Sequence, residues 1–186
     1  MGKDRQAALN RAIAVAQSKR IDINSARFID KTIYFAFDAK GEGGIVELID
    51  GTTEKRVGVT NLDGNKFNKG RYVVIDGLRV LGENTATDLG KAKWLSELHP
   101  ALKNSELRIM QDGVLLDMPV SDLHNEGNGS SNDDDFRDIV TAPIIMPEIE
   151  FKYDWVFPKG ETVPSTVASA LVRIEARVIE IITASV

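Results

Sequence analysis

The chain has 186 residues and no cysteine, which excludes disulfides, thiol nucleophiles, iron–sulfur clusters and thiolate zinc sites. With 42% hydrophobic and 27% charged residues it has the composition of a folded globular chain, at a length for which one domain is the expectation. The net charge of −5 is uneven: Lys3, Arg5, Arg11, Lys19 and Arg20 against Asp4 give the first 20 residues +4 and leave −9 on the rest. A basic arm on an acidic body is suited to an acidic partner surface or to nucleic acid, although a solvated helix face is the plainer reading. The first residues lack the basic start, apolar stretch and small-residue cleavage site of a secretory signal. No apolar run approaches the roughly 18 residues a membrane span needs, so synthesis and folding inside the cell are expected.

In chain order, Arg5 to Gln17 avoids Gly and Pro and repeats Ala8, Leu9, Ala12, Ile13 and Ala16 at three- and four-residue spacing, which predicts an amphipathic helix with a narrow, mostly alanine stripe. Lys31 to Asp38 alternates, with Ile33, Phe35 and Phe37 on one side, as a half-buried strand does. The glycines at 41, 43 and 44 turn the chain. Ile45 to Asp50 and Lys55 to Thr60 then read as two further strands, the first closed by Asp50-Gly51. Arg71 to Leu81 holds two apolar runs around Asp76-Gly77 and fits either a tight hairpin or one long bulged strand. Trp94, Leu95, Leu98 and Leu102 lie near helical spacing and suggest a short helix from Lys91 to Leu98, ended by Pro100. Leu107 to Met110 and Val114 to Met118 flank Gln111-Asp112-Gly113 as a hairpin. Residues 125–135 contain no apolar side chain and read as a mobile polar loop.

The strongest strand signal is Ile149 to Phe157, where Ile149, Phe151, Tyr153, Trp155 and Phe157 alternate with Glu150, Lys152 and Asp154. In the last segment Val172, Ile174, Ala176 and Val178 alternate with Arg173, Glu175 and Arg177, and the doublet Val178-Ile179 implies a bulge near Val178. About eight strands, with helices confined to the start and middle, predict a mainly β fold. We expect a jelly-roll-like β-sandwich over residues 21–186, preceded by a basic helical arm at 1–20.

No residue pattern here predicts catalysis or a cofactor. The two histidines, His99 and His124, are far apart in sequence and form no ligand motif, and no Gly-x-Ser-x-Gly elbow occurs. The glycine cluster at 41–44 lacks the lysine and spacing of a phosphate loop, and Asp133-Asp134-Asp135 reads as a solvated charge run. Exposed aromatics can stack on sugars, which makes Tyr153 and Trp155 a candidate ligand platform, with core packing the competing account.

The arrangement of a short basic helical arm, hairpins such as Gly70 to Gly77, a polar loop at 125–135 and the C-terminal strand Val172 to Ile182 resembles a bacteriophage or viral coat subunit of the jelly-roll kind. That resemblance implies a non-enzymatic virion component that contacts copies of itself and other virion proteins. The assembly contacts would come from Arg5, Leu9, Arg11, Ile13, Lys19 and Arg20, and nucleic acid would be touched only through the arm. The acidic body departs from what a nucleic-acid-lining face needs. The competing expectations are a carbohydrate-binding or adhesion module and a small cytoplasmic adaptor of a larger machine.

Overall fold

The structure, a computed structural model, describes residues 5–124 and 136–183. It is mainly β, with two antiparallel sheets and an N-terminal helix. Helix α1 spans Arg5–Ser18 and buries Ala8, Ala12 and Ala16, the stripe the spacing predicts. It stops in a Schellman arrangement: Arg20 N–H donates to the Gln17 carbonyl at 2.9 Å and Ile21 N–H to the Ala16 carbonyl at 3.0 Å. Closing that turn forces Arg20 to φ 58°, a conformation usually left to glycine.

Three long strands form the body of the larger sheet: β1 (Arg27–Asp38), β3 (Arg71–Glu83) and β9 (Leu171–Ile182), with β9 in the centre. Both pairings run the full strand length, from Arg27↔Ile182 to Asp38↔Leu171 and from Arg71↔Ile182 to Glu83↔Leu171. The smaller sheet has the order β2 (Ile45–Glu47), β8 (Lys152–Val156), β4 (Glu106–Met110) and β5 (Val114–Pro119). Inward side chains of both sheets join one apolar cluster, which includes Ile75, Leu78, Ile109, Trp155 and Ile174. A second cluster, built from α1, Val74, Ile144, Ile179 and Ile181, lies on the opposite face of the large sheet.

This second cluster corrects the bulge expected near Val178. Alternation along β9 is unbroken: Val172, Ile174, Ala176 and Val178 face the main core, while Arg173, Glu175, Arg177, Ile179 and Ile181 share the other face. The doublet marks where α1 covers that face and turns its environment from polar to apolar. The irregularity sits in the partner strand, between Ile75 and Gly77, so Asp76-Gly77 lies within one long bulged strand and makes no hairpin.

Other expectations change for local reasons. Lys55 to Thr60 is a turn closed by Thr60 N–H to the Arg56 carbonyl at 2.8 Å, and it caps the free edge of β1. Asn61 completes that cap by strand mimicry: its side chain accepts from Tyr34 N–H at 3.0 Å and donates to the Thr32 carbonyl at 2.7 Å. Only Ile45–Glu47 of the run to Asp50 is strand. Residues 92–98 are not helical. A single 3₁₀ turn occupies Leu89–Lys91, and Pro100 opens helix α2 (Pro100–Lys103) instead of ending a helix, because proline at the first helical position loses no bond. The β4–β5 hairpin forms as expected, and after it come α3 (Val120–Leu123) and the two-residue strands β6 (Arg137–Asp138) and β7 (Ile144–Ile145) on the edge of β3.

Candidate interaction site

Two polar constructions dominate the outer face of the large sheet. The first ties down the helix. The bulge turns Asp76 outward under α1, where it is 2% exposed and accepts from Arg5 at 2.8 Å, Arg11 at 2.5 Å and Arg177 at 2.9 Å. Gly77 leaves the room this needs, since a Cβ there would lie 3.1 Å from the Arg177 guanidinium. Arg5 also pairs with Asp30, and Arg177 with Asp138 at 2.7 Å, so excess positive charge around Asp76 is offset. Beyond the helix, Arg79 and Arg177 lie over the Phe136 ring, Glu175 pairs with Arg79 and Arg173, and Arg173 stacks on Tyr34 with its guanidinium 4.2 Å from the ring centre.

The second construction holds the segment 84–97. Glu83, at the end of β3, is 2% exposed. Its Oε1 accepts from Thr85 N–H at 2.7 Å, the Thr85 hydroxyl at 2.6 Å and Ala86 N–H at 3.2 Å, and its Oε2 accepts from Lys93 N–H at 2.9 Å. Donation led by the Thr85 hydroxyl outweighs desolvation and holds the Glu83 carboxyl down at about 2. One carboxylate thereby fixes both limbs of the segment. A third anchor is Ser96 N–H to the Gly82 carbonyl at 3.1 Å, and the limb passes so close that a Cβ on Gly82 would stand 2.7 Å from the Ser96 carbonyl oxygen.

Between these anchors Trp94 is held at φ 58°, a conformation a bulky residue adopts only when its surroundings impose it. Its ring lies 5.7 Å from the Arg173 guanidinium, and Leu95 beside it is 73% exposed. The flanking Lys91 and Lys93 are also exposed. On the other side of Ser96 a cleft of about 360 Å³ opens between residues 97–102 and 167–171, with Leu98, Leu102 and Val167 in its wall and the exposed Glu97 at its rim.

The structure distributes the residues singled out by sequence differently. Of the arm positions, Arg5 and Arg11 bond to the chain's own Asp76, Leu9 packs on the second cluster, and Ile13 is half-buried. Lys19 and Arg20 stay exposed beside a cleft of about 330 Å³ shared with Lys69 and Tyr72. Tyr153 and Trp155 do not form a surface platform. They are 3% and 0% exposed, Phe37 meets the Trp155 ring edge-on at 5.7 Å, and burial pushes the Tyr153 phenol far above its ordinary range. The reason is the strand phase: Val46, Trp155 and Leu107 stand in one row across the small sheet, on its core side. His99 caps α2 by accepting from Ala101 N–H at 3.2 Å, and His124 Nδ1 donates to the Val80 carbonyl at 3.1 Å. The polar run 125–135 with its three aspartates lies outside the described residues. Among the described residues no three His, Asp or Glu side chains converge on a metal-sized site, and no helix is long and apolar enough to cross a membrane.

No sequence motif marks Glu83, Trp94 and Leu95 as a site. The Trp94–Leu95 pair between Lys93 and the Ser96 anchor carried a signal, but helical spacing absorbed it. Comparison with protein-family models and with curated proteins finds no match.

Proposed function

We propose that the chain is a non-enzymatic structural subunit that assembles with copies of itself, as the subunits of a shell or virion do. In this reading the two sheets form a jelly-roll-like sandwich and the protein resides in the particle. The observation that carries the reading is the rigid presentation of an apolar tip. Leu95 is 73% exposed and Trp94 sits at φ 58°, yet the chain is held on both sides of them, by the buried Glu83 carboxylate at Lys93 N–H and by the Gly82 carbonyl at Ser96 N–H. A strained backbone residue costs on the order of 1–3 kcal/mol, and an exposed leucine contributes no burial energy. Such a tip is of use where a partner covers it, and tryptophan is among the side chains that dominate protein contacts.

The arm takes a different part from the one the resemblance implies. Arg5 and Arg11 are engaged by Asp76 of the same chain, so the helix belongs to its own subunit, and contact with nucleic acid is left to Lys19 and Arg20. Size-exclusion chromatography with light scattering, over a hundredfold range of protein concentration, tests the reading. Discrete oligomers well above the 20.4 kDa chain mass are expected, and a monomer at every concentration overturns it.

A further inference from the structure

We propose that the Trp94–Leu95 tip of one copy seats in the cleft bounded by residues 97–102 and 167–171 of a second copy; this rests on the assembly reading above. The two surfaces match in kind. The tip is apolar and basic, with Leu95 73% exposed between the strained Trp94 and the Gly82-bound Ser96, and with the exposed Lys91 and Lys93 before it. The cleft is walled by the apolar Leu98, Leu102 and Val167 and carries one exposed carboxylate, Glu97, at its rim, and its 360 Å³ falls within the roughly 300–1,000 Å³ of binding pockets. Opposite charge across the contact favours encounter and sets register, while the buried leucine supplies affinity.

The tip and the cleft of one chain cannot satisfy each other. A single residue, Ser96, separates Leu95 from Glu97, and its N–H is bonded to the Gly82 carbonyl at 3.1 Å. Leu95 is exposed and does not line the cleft of its own chain, so the fixed backbone between them leaves the tip beside that cleft and outside it. The contact is therefore between two different patches on two copies. Because tip and cleft are neighbours on one surface, two copies can exchange tips about a two-fold axis; at any other relative orientation the contact is heterologous and closes into a ring or runs on as an open array.

A charge-swap pair tests this by light scattering of the full chain. In Lys93→Glu the tip carries a carboxylate toward Glu97 of its neighbour, and in Glu97→Lys the cleft rim repels Lys93. Each variant alone is expected to associate at least tenfold more weakly than the unaltered chain. An equimolar mixture is expected to recover association, because every tip then meets a cleft of opposite charge on the other variant. Leu95→Asp is expected to abolish association, with an unchanged thermal midpoint at low protein concentration. Undiminished association of either charge variant or of Leu95→Asp, or a mixture that does no better than its components, overturns the tip-in-cleft contact. If the unaltered chain assembles while these results go against the contact, only this inference falls; if the unaltered chain is monomeric throughout, the assembly reading falls first.

Discussion

Replacing Glu83 with glutamine tests whether one buried carboxylate organises the segment that carries Trp94 and Leu95. The glutamine keeps the shape and one acceptor oxygen, so Thr85 can still be satisfied, but an amide group replaces the oxygen that accepts from Lys93 N–H at 2.9 Å and leaves donor facing donor. The Glu83 carboxyl is held at about 2 against an ordinary 4.5. That difference corresponds to a ceiling of ~3.4 kcal/mol of preference for the charged form, and about 2–3 kcal/mol is expected once partial solvation of the segment is allowed for. The sign follows from the direction of the shift. A carboxyl whose folded value lies below its unfolded one contributes its full stability above pH 4.5 and loses it as pH falls toward 2. The assay is urea unfolding of the unaltered chain and of Glu83→Gln at steps from pH 7 to pH 2.5, reading the difference in stability so that other carboxylates cancel. The gap should be widest at pH 7 and should narrow between pH 4.5 and 2.5. A gap that stays constant across that range would refute the claim that the charge of Glu83 holds the segment.

Three further substitutions probe the rest of the molecule. Asp76→Ala leaves Arg5, Arg11 and Arg177 without the carboxylate they share; a loss of about 3–5 kcal/mol and early proteolysis at the N terminus are expected, and a stable, protease-resistant variant would show that α1 is held by its alanine stripe alone. Trp155→Ala empties a fully buried site between Phe37 and the small sheet and should cost about 3–5 kcal/mol in urea unfolding followed by circular dichroism, whereas wild-type stability would place the ring outside the core. Arg20→Gly relieves the positive φ at the end of α1 and should raise the thermal midpoint by a few degrees, corresponding to about 1 kcal/mol; a lowered midpoint would mean that the Arg20 side chain contributes more than its backbone costs.

Features in which a local period coincides with a burial boundary are legible in the chain without its fold. The alanine stripe of α1, the Ile33–Phe35–Phe37 face of β1, the β4–β5 hairpin and the aromatic face of β8 were all legible, because a side chain every second or every third to fourth residue has one face to hide and one to wet. Periodicity says that a face is covered, however, and leaves open what covers it. Tyr153 and Trp155 carried the same alternation whether they faced a ligand or the large sheet, and only the packing of the two sheets into one cluster placed them inside. The Val178–Ile179 doublet looked like a slipped register because the cover on that face changes from solvent and ion pairs to α1, an element more than 150 residues away in sequence. Trp94, Leu95 and Leu98 matched a helical period by coincidence. Glu83 and Gly82 override that pattern by binding and crowding the chain from the neighbouring strand end, and no local rule contains them. The candidate site takes its geometry from bonds that converge on one buried carboxylate from residues 2 to 13 positions further along the chain, and not from the propensity of the residues it displays.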